Sequence, residues 1–308
     1  MAAITAKMVA DLRAKTGVGM MECKKALNEA NGDFDEAVKL LREKGLSVAA
    51  KKAGRIAAEG VVDIMVEGDC AVMIEVNAET DFVAKNETFK EFVRGIERAI
   101  LAGKPATIEE LLALPYDDSF TVDAKVKDMI FTIGENMNIR RFVIVEGIFS
   151  TYIHGAGTTG VIVKFNTDAD TAAKPGFAEF AKNIALQIAA GSPPSYVTRD
   201  QVPAAAVEEE KQVLIAQIKN DEKNASKPDA IIEKMVTGKI GKFYQRECLV
   251  EQGYVKDDSM SVGQYTEATA KELGGAISID SFYLYEKGEG LEKKEDNFGD
   301  EIAEMLNK

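Results

Sequence analysis

The sequence predicts an α+β protein: three short N-terminal helices, a duplicated α+β core with small antiparallel sheets, an inserted helical-hairpin arm and a C-terminal helix. Three observations carry that class. Apolar residues keep helical spacing through the first 54 residues and change to β-branched runs from Gly60. The pattern Phe89-Lys90-Glu91-Phe92 with Ile96 and Ile100 returns as Phe177-Ala178-Glu179-Phe180 with Ile184 and Ile188, at a constant offset of 88. Finally, the stretch from Ala204 to Phe243 carries a narrow apolar stripe among charges, interrupted by a turn at Asn224 to Pro228.

Residues 4 to 45 predict three helices. Thr5 caps the first, which carries Met8, Val9 and Leu12 on one face; Gly17-Val18-Gly19 breaks it. Met20 to Ala30 form the second, and Asn31-Gly32-Asp33 supply a terminal glycine and a fresh cap. The third holds Phe34, Ala37, Val38 and Leu41 and is expected to end at Gly45, with the basic, Ala-rich Val48 to Arg55 as a separate linker helix. Val61 to Val66 and Ala71 to Val76, joined by a Glu67-Gly68-Asp69 turn, predict a hairpin. A helix then runs to Leu101, short helices cover Ile108 to Leu114 and Val122 to Ile133, and Gly134 to Arg141 read as a polar loop before a strand at Phe142 to Ile148. A second hairpin, Phe149 to His154 and Val161 to Phe165, precedes the helix Phe177 to Ala190. Helices from Ala204 to Asp221 and Asp229 to Phe243 form an antiparallel arm, with Pro228 where a helix start tolerates it. Ile277 to Tyr285 alternate as a strand, and Phe298, Ile302 and Leu306 share one face of a short acidic helix. The implied units are 1–54, 55–148, 149–198 with 240–285, the arm at 199–239, and 286–308. At 308 residues, several units are the natural expectation.

Composition narrows the function. A formal net charge of −13 disfavours direct nucleic-acid binding, which rests on cationic side chains neutralising phosphates, and favours a protein partner. Cys23, Cys70 and Cys248 are odd in number and form no CxxC pair, which fits reduced thiols. The N-terminus lacks a signal-peptide core and no apolar run reaches about 18 residues, so a cytoplasmic, non-membrane location is expected.

The stretch Thr80-Asp81-Phe82-Val83-Ala84-Lys85-Asn86 organises the functional reading. It places an acid and a large aromatic where a strand meets a helix, with Thr80 or Asp81 able to cap. Phe82 either packs on the helical face shared with Phe89, seven residues on, or serves as a contact residue. Aligning Asn77 with Asn166 sets Phe82 opposite Thr171, so the acidic corner recurs without the aromatic, which favours contact. Met20 and Met21 suit either a core or an adaptable contact surface. Gly155-Ala156-Gly157-Thr158-Thr159-Gly160 matches GxGxxG, but a strand follows it where dinucleotide binding needs a helix, so it reads as a hairpin turn. His154 is the only histidine, either a surface contact or a turn residue, which leaves no support for a His-dependent triad or a multi-His metal site. No catalytic residue, metal ligand or cofactor is assigned.

Taken together, Thr16-Gly17-Val18-Gly19-Met20-Met21-Glu22-Cys23-Lys24-Lys25-Ala26-Leu27, the stretch from Thr80 to Asn86, and Ile133-Gly134-Glu135-Asn136-Met137-Asn138-Ile139-Arg140-Arg141 closely resemble the bacterial elongation factor Ts family over the whole chain. The resemblance implies an N-terminal ubiquitin-associated-like domain, a two-part core, a coiled-coil arm and a C-terminal module. It implies a guanine-nucleotide exchange factor for the GTPase elongation factor Tu, without bond chemistry. By the same resemblance, Asp81 and Phe82 form a wedge near the partner's Mg²⁺ and phosphate site, with Thr80 and Val83 beside them and Ile133 and Gly134 in support. His154 touches a distal domain of the GTPase, Arg13, Met20 and Met21 form an N-terminal contact, and Met235 with Val236 one near the arm. Self-association through the arm is a further expectation. The alternative is an adapter gripping a peptide or ubiquitin-like partner through the three-helix unit; an enzyme with carboxylates in its core is a third reading.

Overall fold

Helix formation begins at Thr5, whose hydroxyl accepts from the Met8 N–H at 3.2 Å and so satisfies a donor that a helix start leaves free. The computed structural model describes residues 4–190, 192–221, 223–224 and 227–292. α1 (Ala6–Thr16) ends at Gly17, whose φ of 69° is the left-handed conformation a glycine adopts without penalty. α2 (Met20–Glu29) follows, and the Asp33 carboxylate caps α3 (Phe34–Lys52) at 2.9 Å from the Glu36 nitrogen. Leu12, Cys23, Leu27, Ala37 and Leu41 fill the space between the three. Gly45 does not end α3: the helix runs through it, and the basic stretch from Val48 is its continuation rather than a separate linker. The residue is buried there, and a Cβ would lie 3.5 Å from Phe131, so the glycine serves close helix packing.

The first half of the core consists of β1 (Glu59–Glu67), β2 (Cys70–Ala78), α4 (Asp81–Ala84), α5 (Glu87–Gly103), α6 (Ile108–Ala113), α7 (Val122–Ile133) and β3 (Met137–Glu146). Its antiparallel sheet has the order β1-β2-β3. The helix expected to run unbroken to Leu101 is divided, because Asn86 ends one turn and caps the next helix through Thr88. β3 starts at Met137, not at Phe142: the supposed polar loop is mostly strand, and its Arg140 and Arg141 turn onto a buried acid.

The second half holds β4 (Phe149–His154), β5 (Thr159–Asn166), α8 (Ala169–Ala172) and α9 (Phe177–Ala190). The arm follows, α10 (Ala204–Asn220) and α11 (Asp229–Glu247), packed through Leu214, Ile218, Ile232 and Val236. Ion pairs Lys219–Asp229 at 3.2 Å and Glu210–Arg246 at 3.8 Å join opposite ends of the two helices, which fixes them as antiparallel. Next come β6 (Gly253–Tyr254), β7 (Asp257–Ser261) and α12 (Val262–Leu273), which sequence reasoning passed over although Ser261 and Gln264 spell a capping box that the structure forms. β8 (Ser278–Glu286) completes the second sheet, order β4-β5-β8. The expected helix at Phe298 to Leu306 lies outside the described residues.

The two sheets stack face to face between α5 on one side and α9 on the other. Val72, Ile74 and Val76 of β2 face Phe89, Phe92 and Ile96, while Ala71 and Met73 face Ile162 of β5. β2 is therefore buried on both faces, which is why its sequence is apolar at successive positions rather than alternating. Gly160 permits the close approach: a Cβ there would come within 2.6 Å of Val62. The GxGxxG stretch is the β4–β5 turn, and its Gly157 carbonyl accepts from the Val62 N–H at 2.8 Å.

The repeat holds, with one change of register. Caps and helices of the two halves align at the offset of 88, Thr80 with Asp168 and Phe89 with Phe177. Phe82 therefore corresponds to exposed Asp170, not to Thr171, which is buried in the place of Val83. Aligning the asparagines had shifted the corner by one residue.

Two buried carboxyls differ in their surroundings. Glu75 is fully buried and is bonded by Arg140, Arg141, Asn77 and the Gly288 N–H. Burial pushes its carboxyl upward, but the Gly288 N–H, Asn77 and Arg141 outweigh this and hold it below the usual range. Glu97 on α5 is 1% exposed and neither carboxyl oxygen has a partner. Burial first, and the charge of Asp63 second, push it up to about 9, against the pull of Arg94 and Arg98.

In the unfolded chain a glutamate ionises near about 4.3. Between that value and about 9 the folded state binds more protons than the unfolded state, so this group makes stability fall as pH rises. Glu97→Gln is expected to remove the slope, its advantage over the parent widening by up to about 1.4 kcal/mol per pH unit from mildly acidic to alkaline pH. Urea denaturation across that range measures it; parallel pH profiles would contradict the assignment.

Candidate functional site: a braced corner bearing an exposed aromatic

The corner between β2 and α5 is built by local capping and by a contact across the chain. Thr80 is the cap of α4, its hydroxyl accepting from the Val83 N–H at 3.4 Å. Its own N–H and hydroxyl donate to Glu135 at 3.0 and 2.7 Å. In the opposite direction, Glu79 accepts from the Asn136 N–H at 2.6 Å, while the Asn136 side chain donates to the Arg55 carbonyl at 2.8 Å. Two consecutive residues before α4 are thus clasped to two consecutive residues after α7.

On this clasp stands Phe82, 80% exposed. It does not share the buried face of Phe89, which is fully enclosed under α5. Val83 and Ala84 turn inward instead and anchor the short helix. Asp81, at the first turn of α4, pairs with Lys85 at 2.5 Å, and that hydrogen bond holds its carboxyl below the usual range. Negative charge there also suits the helix start.

Ile133 and Gly134 lie beside this corner. Gly134 ends α7 with φ 87°, its carbonyl accepts from Lys52, and Glu135 follows directly. Gly17 reaches the same helix end, since a Cβ at that position would lie 3.4 Å from Thr132. The connector it opens leads to Met20 and Met21, 56% and 76% exposed, and Arg13 is exposed on α1. Contacts therefore link the 17–21 connector, the end of α7 and the Phe82 corner in series.

Other residues named from the sequence lie elsewhere. His154 is exposed at the end of β4, its Nδ1 2.9 Å from the Tyr152 hydroxyl and its carbonyl bonded by Gly157 and Thr158. Met235 is half-buried on α11, and Val236, 4% exposed, packs inside the arm, so its side chain offers no surface. Glu79, Glu135 and Asn136 were not assigned a supporting role from the sequence. Their only signal is polar residues immediately after a helix-ending glycine, and it does not name the partner. Among the described residues no group of three or more His, Cys, Asp or Glu is placed to hold a metal ion, and no helix is long and apolar enough to cross a membrane.

An exposed phenyl ring on a fixed bend and a pair of exposed, flexible methionines are surface chemistry suited to docking against another protein. The sequence profile of the family described as Elongation factor TS matches residues 79–289. The chain is 45% identical over 306 residues to Elongation factor Ts of Syntrophotalea carbinolica, covering 98% of this chain and 99% of the relative. It is 43% identical over 310 residues to that of Clostridium kluyveri, covering 98% and 99%, and 44% identical over 311 residues to that of Clostridium botulinum, covering 99% of each. The chain belongs to the elongation factor Ts family.

Glu135→Ala removes both acceptors that hold Thr80 and is expected to cost about 1–3 kcal/mol of stability and to speed amide exchange at residues 80–85. Phe82→Ala is expected to change stability by less than about 0.5 kcal/mol, because the ring has little native packing to lose. Urea denaturation with hydrogen-exchange mass spectrometry checks both; a large loss on truncating Phe82 would mean that the ring packs on its own protein.

Proposed function

We propose that the chain is a guanine-nucleotide exchange factor that binds elongation factor Tu and promotes GDP release by pressing Asp81 and Phe82 against the partner's Mg²⁺ and phosphate site. One observation carries the proposal: an aromatic side chain 80% exposed on backbone clasped from a distant segment. Membership of the elongation factor Ts family supports the choice of partner.

No bond is made or broken in this function, so it needs differential affinity rather than a reactive side chain. A factor that binds the nucleotide-free GTPase more tightly than the GDP form must, by linkage, be weakened equally by GDP. A ring entering near the metal site, with a carboxylate beside it, disturbs the cation that neutralises the nucleotide's phosphates. GDP and GTP are loosened alike, and an excess of GTP sets the direction. Thr80, Val83, Ile133 and Gly134 hold or flank the wedge; Arg13, Met20 and Met21 add an N-terminal contact, His154 a contact with another part of the GTPase, and Met235 one on the arm.

Burying a phenylalanine is worth roughly 2–3 kcal/mol. With about 1.4 kcal/mol per tenfold in rate, Phe82→Ala is expected to reduce stimulated release of fluorescent GDP from elongation factor Tu by about one to two orders of magnitude. Residues 1–54 alone are expected to give no stimulation, which separates exchange from the adapter function. Unchanged GDP release in the presence of the intact chain would refute the proposal.

A further inference from the structure

The helix α3 belongs to two cores at once. Its first half gives Ala37 and Leu41 to the three-helix cluster, whereas Ala49, further along, is buried with the first sheet and α5. From the other side, Phe131 of α7 packs on the three-helix cluster and meets α3 at Gly45. On α2, Glu22 follows Met21 directly and pairs with Lys44 of α3. Packing along one continuous helix, rather than a loop, therefore connects the exposed methionines with the first half of the core.

The far end of α3 is bonded to the root of the Phe82 corner, and Asn136 is the junction. The residue is 7% exposed; its backbone N–H donates to Glu79 at 2.6 Å and its side-chain amide to the Arg55 carbonyl at 2.8 Å. Asparagine suits this place because its short side chain carries an N–H donor without a charge, where an aspartate would set a carboxylate against a carbonyl oxygen. Two further bonds join the same segments. Lys52 donates to the Gly134 carbonyl, and the Arg55 guanidinium reaches Glu79 at 3.5 Å.

We propose that Asn136 is a positioning residue for nucleotide exchange: by bonding the exit of α3 to the residue before the Thr80 cap, it couples the N-terminal contact to the setting of Phe82. The inference rests on the exchange function proposed above. Once the partner engages Met20 and Met21, the seating of α3 on that partner determines where Glu79, Thr80 and the ring stand. Without the bond to the Arg55 carbonyl that path is loosened, and the two contacts are made separately. Buried as it is, Asn136 adds little to binding itself; what its loss removes is alignment of the ring when nucleotide leaves.

The test is stimulated release of fluorescent GDP from elongation factor Tu, measured against factor concentration for the parent, Asn136→Ala, Met21→Ala, the double variant and Phe82→Ala. Asn136→Ala is expected to lower the maximal rate at saturating factor by about three- to tenfold and to move the half-saturating concentration by less than about twofold. A role in stability alone gives the opposite pattern, because a partly unfolded variant reaches the parent's maximal rate once enough of it is added. Met21→Ala is expected to lower the maximal rate of the parent, yet in the Asn136→Ala background only to raise the half-saturating concentration, the non-additivity of a shared path. A maximal rate unchanged by Asn136→Ala, or independent effects of the two substitutions, overturns the proposal. If Phe82→Ala also leaves release unchanged, the exchange function falls and the positioning role with it; if Phe82→Ala slows release and Asn136→Ala does not, the positioning role alone falls.

Discussion

The reciprocal hydrogen bonds between Glu79-Thr80 and Glu135-Asn136 are the constraint on which the exposed ring depends. A phenyl group in water gains roughly 2–3 kcal/mol by folding back onto apolar surface. It stays outward only where the backbone beneath it cannot turn. Thr80 supplies the cap and is itself held by a carboxylate from beyond α7, while Val83 and Ala84 are sunk in the core below. The ring is therefore aimed by groups that do not touch it.

The second half of the core shows what the clasp adds. At the corresponding corner, Asp168 caps α8 and accepts from both the N–H and the hydroxyl of Thr171 at 2.8 Å. Those bonds are local and complete in themselves, and the residue in the place of Phe82 is the acid Asp170. The same strand–corner–helix unit thus occurs once closed on itself and once tied to a distant segment. Only the tied copy displays an aromatic.

Glu75 makes the two halves one body. An ionised carboxylate buried without partners would carry a penalty of several kcal/mol, so it persists only because two arginines, an amide and a backbone N–H surround it. Those partners come from β2, β3 and the turn after β8. Arg141 also lies over the Tyr285 ring at 4.2 Å, which adds a contact between the sheets. Moving the second half relative to the first would take the Gly288 N–H from that charge and break the Arg141 bonds to Glu286 and Glu289, so the halves keep one arrangement.

Helix caps, hairpins and the arm were legible in the sequence because their signals span three or four residues: Thr5 to Met8, Asp33 to Glu36, Thr80 to Val83. Gly45 misled because a glycine that ends a helix and one that admits a neighbouring phenylalanine look alike in one dimension. The onset of β3 was hidden because Arg140 and Arg141 are polar for a tertiary reason, the burial of Glu75. The clasp joins residues 55 and 57 positions apart, beyond any periodic signal. The exposed aromatic could still be found, because duplication supplies its own control: what architecture requires recurs in both copies, and what it does not require differs. That comparison works only in the register of the caps and helices, where Val83 and Thr171 are the shared inward residues and Phe82 stands opposite an acid in water. In that register the difference is larger than the sequence alignment suggested, a ring against a charge at one solvent-facing position, and packing accounts for neither.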